Sequence, residues 1–438
     1  MITEKPNYLN IDNATQKKII DIANHYFNNI INVVEYRNED YNVNARQASD
    51  ILISISEMYE YMEQQKWDEI VYKYMCIIKE DLDAKITYMP LSLFVGLCHC
   101  GFAVKLIVDK TGNYNQFLNS INKIINSNLI KLMPIIKQNR NVQAAQYDLI
   151  SGVAGIVSYL LICESKEERK VVIGSLLEYL VDLIVGSYQY NGTYVPNWHI
   201  KRECLVREEE KAEYINGVFN FSASHGLAGV VSTLLHAQNS GEDVINMDYA
   251  IKTGIQIFEA YGLSDKSGIT YWPGMMPYED FVLCNKRNYS IRQSWCYGAI
   301  GISGLFSSAL EGNHKYQNEY KKQLQNLRSI ALNNIENYLL CSPIICHGYA
   351  GALLIFREAY RRSNDEVFLI RIIDLIKILF EMYNQDSYYG YRNKYFDPKE
   401  NKYLYSESND FLEGTSGIIM ALCSIIKPDI AFHKLLLL

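Results

Sequence analysis

Apolar residues recur three and four apart along most of this chain, the spacing that lines one face of a helix. In the C-terminal two thirds they form Ile156, Val157, Leu160, Leu161, then Val230, Leu234, Leu235, then Ile302, Leu305, Phe306. Leu353, Leu354, Phe356 and Ile418, Ile419, Leu422 continue the series. A second helical stretch follows most of these, over Lys166–Val185, Tyr316–Leu340 and Asp365–Tyr383. The predicted unit is an αα-hairpin returning about every 50 to 75 residues. Upstream, Asn13–Tyr36, Ala45–Glu63 and Trp67–Lys85 read as amphipathic helices. Two regions break the pattern, Gly186–Phe221 and Ser264–Ile291, with Tyr-, Val- and Thr-rich pieces between turn residues at Tyr188–Trp198 and Gly268–Pro277. They predict short strands and ordered loops, a β-containing insertion or projections over 186–221 and 264–291. The expected fold class is all-α, one helical domain spanning 1–438.

Each helix of the first series opens with one phrase: a polar residue, Gly-x-x-Gly, then the apolar run. The copies begin at Ser151-Gly152, His225-Gly226, Tyr297-Gly298, His347-Gly348 and Glu413-Gly414. Such a repeat points to a toroid or solenoid. Glycine inside a helix costs about 1 kcal/mol relative to alanine, so two at every start need a reason. Crowded helix ends around a cavity, with backbone N–H groups facing an anion, would supply one. Tight turns and close packing would supply another. Leu93–Phe102, with Cys98-His99-Cys100 between its glycines, is a degenerate copy.

Composition narrows the classes. A length of 438 residues with 49% hydrophobic content supports a large core. The net charge of -7 and the lack of a basic stripe argue against nucleic acid. No apolar stretch reaches the roughly 18 residues of a membrane span, and the N-terminus lacks a secretory signal. A cytoplasmic protein with no membrane anchor of its own is expected, and its ten cysteines should be reduced thiols.

Cys296 and Cys346 stand directly before the polar residue of the third and fourth copies, and His347 is that residue in the fourth. Two thiolates and one imidazole fill three of zinc's four tetrahedral positions and leave one for water or substrate. A buried cysteine serving only as a small hydrophobe is the competing role. Cys98, His99 and Cys100 are a poorer set, because helical residues two apart project about 200° from each other. Cys163, Cys284, Cys341 and Cys423 read as packing, and Cys204, near His199, as an exposed thiol. Asp148 suits helix capping. His225 occupies the repeat position of His347. Arg292 could bind a carboxylate or form a surface ion pair.

The phrases Tyr147–Gly155, Ser224–Gly229, Arg292–Gly298 and Cys346–Gly351, in that order, resemble those of the LanC-type lanthionine cyclases, the lanthionine synthetase C-like family. The resemblance implies an α/α toroid of about seven helical hairpins with a small β-containing insertion. It implies one zinc ion on Cys296, Cys346 and His347. The implied reaction adds cysteine thiols to dehydroalanine or dehydrobutyrine in a ribosomally made precursor peptide, closing thioether rings. It further implies His225 as acid–base group, Asp148 as its partner, and Arg292 and Tyr297 as orienting or enolate-stabilising groups. A dehydratase must act earlier, and an exporter often completes the assembly, so membrane association would come through partners. Relatives that use glutathione-type thiols share the zinc motif. A zinc prenyltransferase would need a basic diphosphate pocket, but no Lys/Arg cluster stands at the repeat mouths; an α/α glycosidase would need paired carboxylates to dominate there, and Asp148 and Glu413 are the only clear candidates. A peptide-binding helical scaffold would bind no zinc.

Overall fold

The computed structural model describes residues 2, 8–36, 43–85, 89–139, 141–289, 292–397 and 400–438. Two compact units emerge. One comprises Met1–Pro90, His99–Asn119 and Leu340–His433; the other Leu91–Cys98, Ser120–Leu339 and Lys434–Leu438.

In the second unit the glycine-opened helices Val153–Cys163, Leu227–Asn239 and Ala299–Ala309 pack side by side. They are buried almost throughout, which explains their low polar content. Ile173–Val185, Met247–Tyr261 and Gln317–Leu332 pack against them and bury one face each. In the first unit Tyr349–Ser363 lies against Thr415–Ile426, which also contacts Asn13–Tyr36 and Ala45–Met58. Glu366–Met382 and Gln64–Lys85 form their partners. Backbone bonds join the turns of neighbouring copies. Leu149 N–H reaches the Ser224 carbonyl at 3.1 Å and Ala223 N–H the Cys296 carbonyl at 3.1 Å. In the other unit Cys346 N–H reaches the Leu412 carbonyl at 2.9 Å.

The glycine pairs follow from this local geometry. A Cβ on Gly226 would strike the Ser222 nitrogen and the Asn220 carbonyl, and one on Gly301 the carbonyls of Trp295 and Ser294. The first glycine lets the chain turn over its own preceding residues, and the second lets the helix start seat against the carbonyl six residues back. Close approach of backbone to backbone thus accounts for the repeat. Gly301→Ala should lower stability by about 1–3 kcal/mol, as overpacking does, because backbone carbonyls cannot swing aside. A urea midpoint equal to that of the wild type would contradict this.

Helix ends refine the sequence reading. Asn13–Tyr36 has the expected limits. The stretch from Lys166 is broken into Lys166–Arg169, capped by Ser165, and Ile173–Val185. The stretch from Tyr316 stops at Leu332, where Asn333 turns extended. Among the described residues, strands form four separate two-stranded antiparallel sheets: Ser187–Tyr190 with Thr193–Pro196, Val218–Asn220 with Met275–Pro277, Leu263–Ser264 with Thr270–Tyr271, and Asn393–Asp397 with Lys402–Ser406. The first three lie at the two regions where the helical period lapses. The fourth is a hairpin the sequence reading did not assign.

A buried charge network ties the first unit together. Arg357 donates to the carbonyls of Ser424 (2.9 Å), Lys427 (3.0 Å) and Pro428 (2.6 Å) and pairs with Glu358. Burial opposes ionisation of Glu358, but Arg357, His433 and Arg362 outweigh it and draw its carboxyl down to about 2. Its contribution is therefore complete above the ordinary carboxylate value and is lost as pH falls from about 4.5 toward 2. Glu358→Gln should cost a few kcal/mol at neutral pH by stranding Arg357. It should also flatten the acid-induced fall in stability over that window, measured as urea midpoints at stepped pH. An unchanged acid profile would contradict this assignment.

Candidate metal centre and acid–base pair

Asp148 works in two directions. Its Oδ1 accepts from the backbone N–H groups of Ser151 (2.7 Å) and Gly152 (2.9 Å), bracing the turn ahead of Val153–Cys163; the N-cap of that helix is Gly152, without a side-chain cap, so Asp148 does not play the capping role its position suggested. Its Oδ2 lies 2.5 Å from His225 Nδ1. Asp148 is 1% exposed, whereas the His225 side chain is 39% exposed. A fixed, buried carboxylate therefore orients an accessible imidazole. Burial disfavours the imidazolium, but the hydrogen bond and charge of Asp148, with Cys296 adding to them, raise the His225 pKa above its ordinary value. With a carboxylate on Nδ1, that nitrogen carries the proton, and Nε2 is left to exchange one.

The turn bearing His225 is bonded to the next copy. Ser224 N–H, like that of Ala223, approaches the Cys296 carbonyl, at 3.3 Å. Cys296 is buried, with Ser294 Oγ 3.6 Å from its sulfur. Tyr297 follows, its ring centroid 6.2 Å from that of His225. Burial holds its phenol above the usual tyrosine value. Arg292 is exposed, and its guanidinium makes no hydrogen bond or ion pair among the described residues, so it stands outside the bonded set of Asp148, His225 and Tyr297. In the first unit Cys346 and His347, both half-buried, occupy the turn leading into Tyr349–Ser363.

Among the described residues, Cys296 in the second unit and Cys346 and His347 in the first each offer one ligand atom of a kind that holds a metal ion. Two sulfurs and one imidazole nitrogen suit zinc and are poor donors for magnesium or calcium, which take oxygen. The donor chemistry fits the metal implied by the sequence resemblance.

Other cysteines and histidines fall elsewhere. His99 Nε2 is 2.7 Å from Asp50 Oδ1, both 1% exposed, and Cys98 and Cys100 are buried. The turn over Leu93–Gly96 and the helix from Leu97 repeat the form of the other copies. Gly96 is thus the first glycine of that copy, and His99 replaces the second. Cys204 is buried, not exposed, because the short turn Arg202–Cys204 folds it inward; Cys284, read as packing, is exposed. His199 sits among Tyr190, Phe219 and Tyr278, and burial pushes its pKa down to about 4, so it is structural. Asn220, which donates to the Tyr297 hydroxyl at 3.1 Å, was not foreseen, since no motif marks it. No helix among the described residues is long and apolar enough to cross a membrane.

Comparison with known proteins adds three findings. The family model "Lanthionine synthetase C-like protein" matches residues 49–437. The nisin biosynthesis protein NisC of Lactococcus lactis subsp. lactis is 28% identical over 339 residues, 76% of this chain and 73% of that protein. A solved structure of nisin cyclase superposes with a TM-score of 0.76 at 23% identity, covering 94% of this chain and 97% of the other. That likeness shows the fold, and the all-α toroid class expected from the sequence is the one this chain has.

Proposed function

This chain belongs to the lanthionine synthetase C-like family, and on that premise we propose that it is a zinc-dependent lanthionine cyclase of lantibiotic biosynthesis. It adds cysteine thiols of a precursor peptide to dehydroalanine or dehydrobutyrine of the same peptide and closes thioether rings. The observation that carries this reading is the donor set of two thiols and an imidazole at the starts of equivalent helices, with an Asp–His pair on the turn bonded to Cys296. Family membership and the resemblance to nisin cyclase support it.

Cys296, Cys346 and His347 would hold the ion. Bound zinc supplies a low thiol pKa, turning a group that ordinarily ionises near 8.5 into a thiolate at neutral pH. The protein's own residues handle the proton. Addition of sulfur to the β-carbon leaves an enolate, whose α-carbon must be protonated. His225, held by Asp148 and favoured in its charged form, delivers that proton from Nε2. Tyr297 faces the same turn and can donate to the enolate oxygen. Arg292, exposed and unengaged, is proposed to meet the peptide. The chain works as one domain on a peptide already dehydrated by another enzyme, in the cytoplasm, with an exporter taking the product.

The test is incubation of zinc-loaded protein with dehydrated precursor peptide, followed by thiol alkylation and mass spectrometry. Ring closure leaves the peptide mass unchanged but removes an alkylatable cysteine. Full alkylation after prolonged incubation would overturn the reading.

A further inference from the structure

The hydroxyl of Tyr297 is held by a side chain whose orientation can be fixed from its neighbours. Asn220 ends the strand Val218–Asn220 and is 3% exposed. Its Oδ1 accepts from the backbone N–H of Ser222 at 3.0 Å. A backbone N–H can only donate, so the amide oxygen must face Ser222 and the amide nitrogen must face the other way. Nδ2 then meets Tyr297 Oη at 3.1 Å. The phenol oxygen is the acceptor in that bond, which leaves the phenol's own proton for a different acceptor.

We infer that Asn220 is a positioning residue: it fixes Tyr297 as a hydrogen-bond donor to the negative oxygen that forms on the substrate during thiol addition. The inference rests on the cyclase reading above for the identity of that oxygen. Its structural part stands alone. The same short turn also sets His225, whose backbone N–H is 3.1 Å from Ser222 Oγ. A Cβ on Gly226 would run into the Asn220 carbonyl and its Oδ1, so the amide is packed beneath the histidine's own turn. On its far side the Tyr297 ring lies against Gly274, where a Cβ would collide with the ring carbons. Asn220 pairs with Met275 across the sheet, which ties both walls of the tyrosine slot together. One amide therefore sets acid and donor relative to each other.

The chemistry balances without a further reagent. The sulfur lone pair forms the carbon–sulfur bond at the β-carbon, and the π pair of the double bond moves through the α-carbon onto the carbonyl oxygen. The phenol O–H shares that charge without giving up its proton. The α-carbon then takes a proton from the His225 imidazolium, and the carbonyl is restored. Loss of one such donor costs about 10²–10³-fold in kcat in other oxyanion sites.

Asn220→Asp tests this directly. The carboxylate can still accept from Ser222 but presents an acceptor to Tyr297, drawing the phenol proton onto itself. Cyclisation kinetics would be compared for wild type, N220D, Y297F and the double variant, with zinc content and urea midpoints measured on each. The expected result is a fall of about 10²-fold in kcat for N220D with KM little changed and zinc retained. The double variant should be no slower than Y297F, since the aspartate then has no phenol to misdirect. An N220D protein with the wild-type kcat, or one whose loss adds in full to that of Y297F, would overturn the inference. Should the wild type not cyclise at all, the cyclase reading fails, and the urea midpoints decide the pairing. Non-additive midpoints sustain the Asn220–Tyr297 bond, and additive ones remove it. If N220D does not fold, Asn220→Ser replaces it in the same comparisons.

Discussion

Cys346→Ala protein should lose at least about 10³-fold in cyclisation rate while keeping its helical circular dichroism. Replacement of residues that merely support metal ligands typically costs 10–100-fold, so loss of a ligand should cost more. The fold should survive, because the bond from the Cys346 backbone to the Leu412 carbonyl does not involve the sulfur. Cys296→Ala should behave alike: its side chain is buried but small, and its carbonyl, which receives Ala223 and Ser224, is unchanged. Ligands acting as one set give non-additive losses, so the double variant should be no worse than either single one. Thiol alkylation of the peptide over time provides the rates. A Cys346→Ala enzyme within a few-fold of wild type would contradict the assignment.

The second large effect should come from the Asp148–His225 pair. His225→Asn removes the proposed proton donor and should lower kcat by about 10²–10⁴-fold, the usual worth of a general acid. Asp148→Asn leaves the imidazole in place but removes the charge that raises its pKa. In the wild type the charged imidazole persists to higher pH than an ordinary histidine and is lost as pH rises through its raised pKa. In Asp148→Asn that loss should begin at lower pH, so the alkaline fall of kcat shifts toward acid. Of the groups around this imidazole, Cys296 also favours the charged form, while burial opposes it. A kcat–pH profile of the variant that falls at the same pH as the wild type would contradict a role for His225 as acid. Asp148→Asn should also loosen the turn at Ser151 and Gly152, a stability effect separable by its absence from the pH profile.

Much of this was written plainly in the chain, for a physical reason. Helices that bury nearly all of their length, such as Ala299–Ala309, must be apolar apart from small polar residues such as Ser303 and Ser307, and the backbone contacts at their starts admit only glycine at positions such as Gly226 and Gly301. The polar residues between those constraints, His225, Tyr297 and His347, therefore stood out. The break after Arg169 was hidden because charged and apolar residues continue at helical spacing across it, and only the Ser165 cap and the tertiary packing divide the stretch. The strand pair Asn393–Asp397 and Lys402–Ser406 was hidden because its aromatics lie on an exposed face, with Phe396, Tyr403 and Tyr405 each about half exposed. Without a buried side there is little hydrophobic alternation to detect. The copy at Leu93–Phe102 read as degenerate because Gly101 offered a second glycine at a misleading distance, whereas His99 stands at that place. Asn220 could not be found from the sequence, since the role proposed for it depends on a neighbour 77 positions away.

The central claim is that Cys296, Cys346 and His347 hold a metal, and zinc content of the purified protein tests it most directly. Elemental analysis should find about one zinc per chain in the wild type, and little or none in Cys296→Ala and Cys346→Ala that remain folded. A folded wild type that carries no zinc and takes up none on titration would contradict the account.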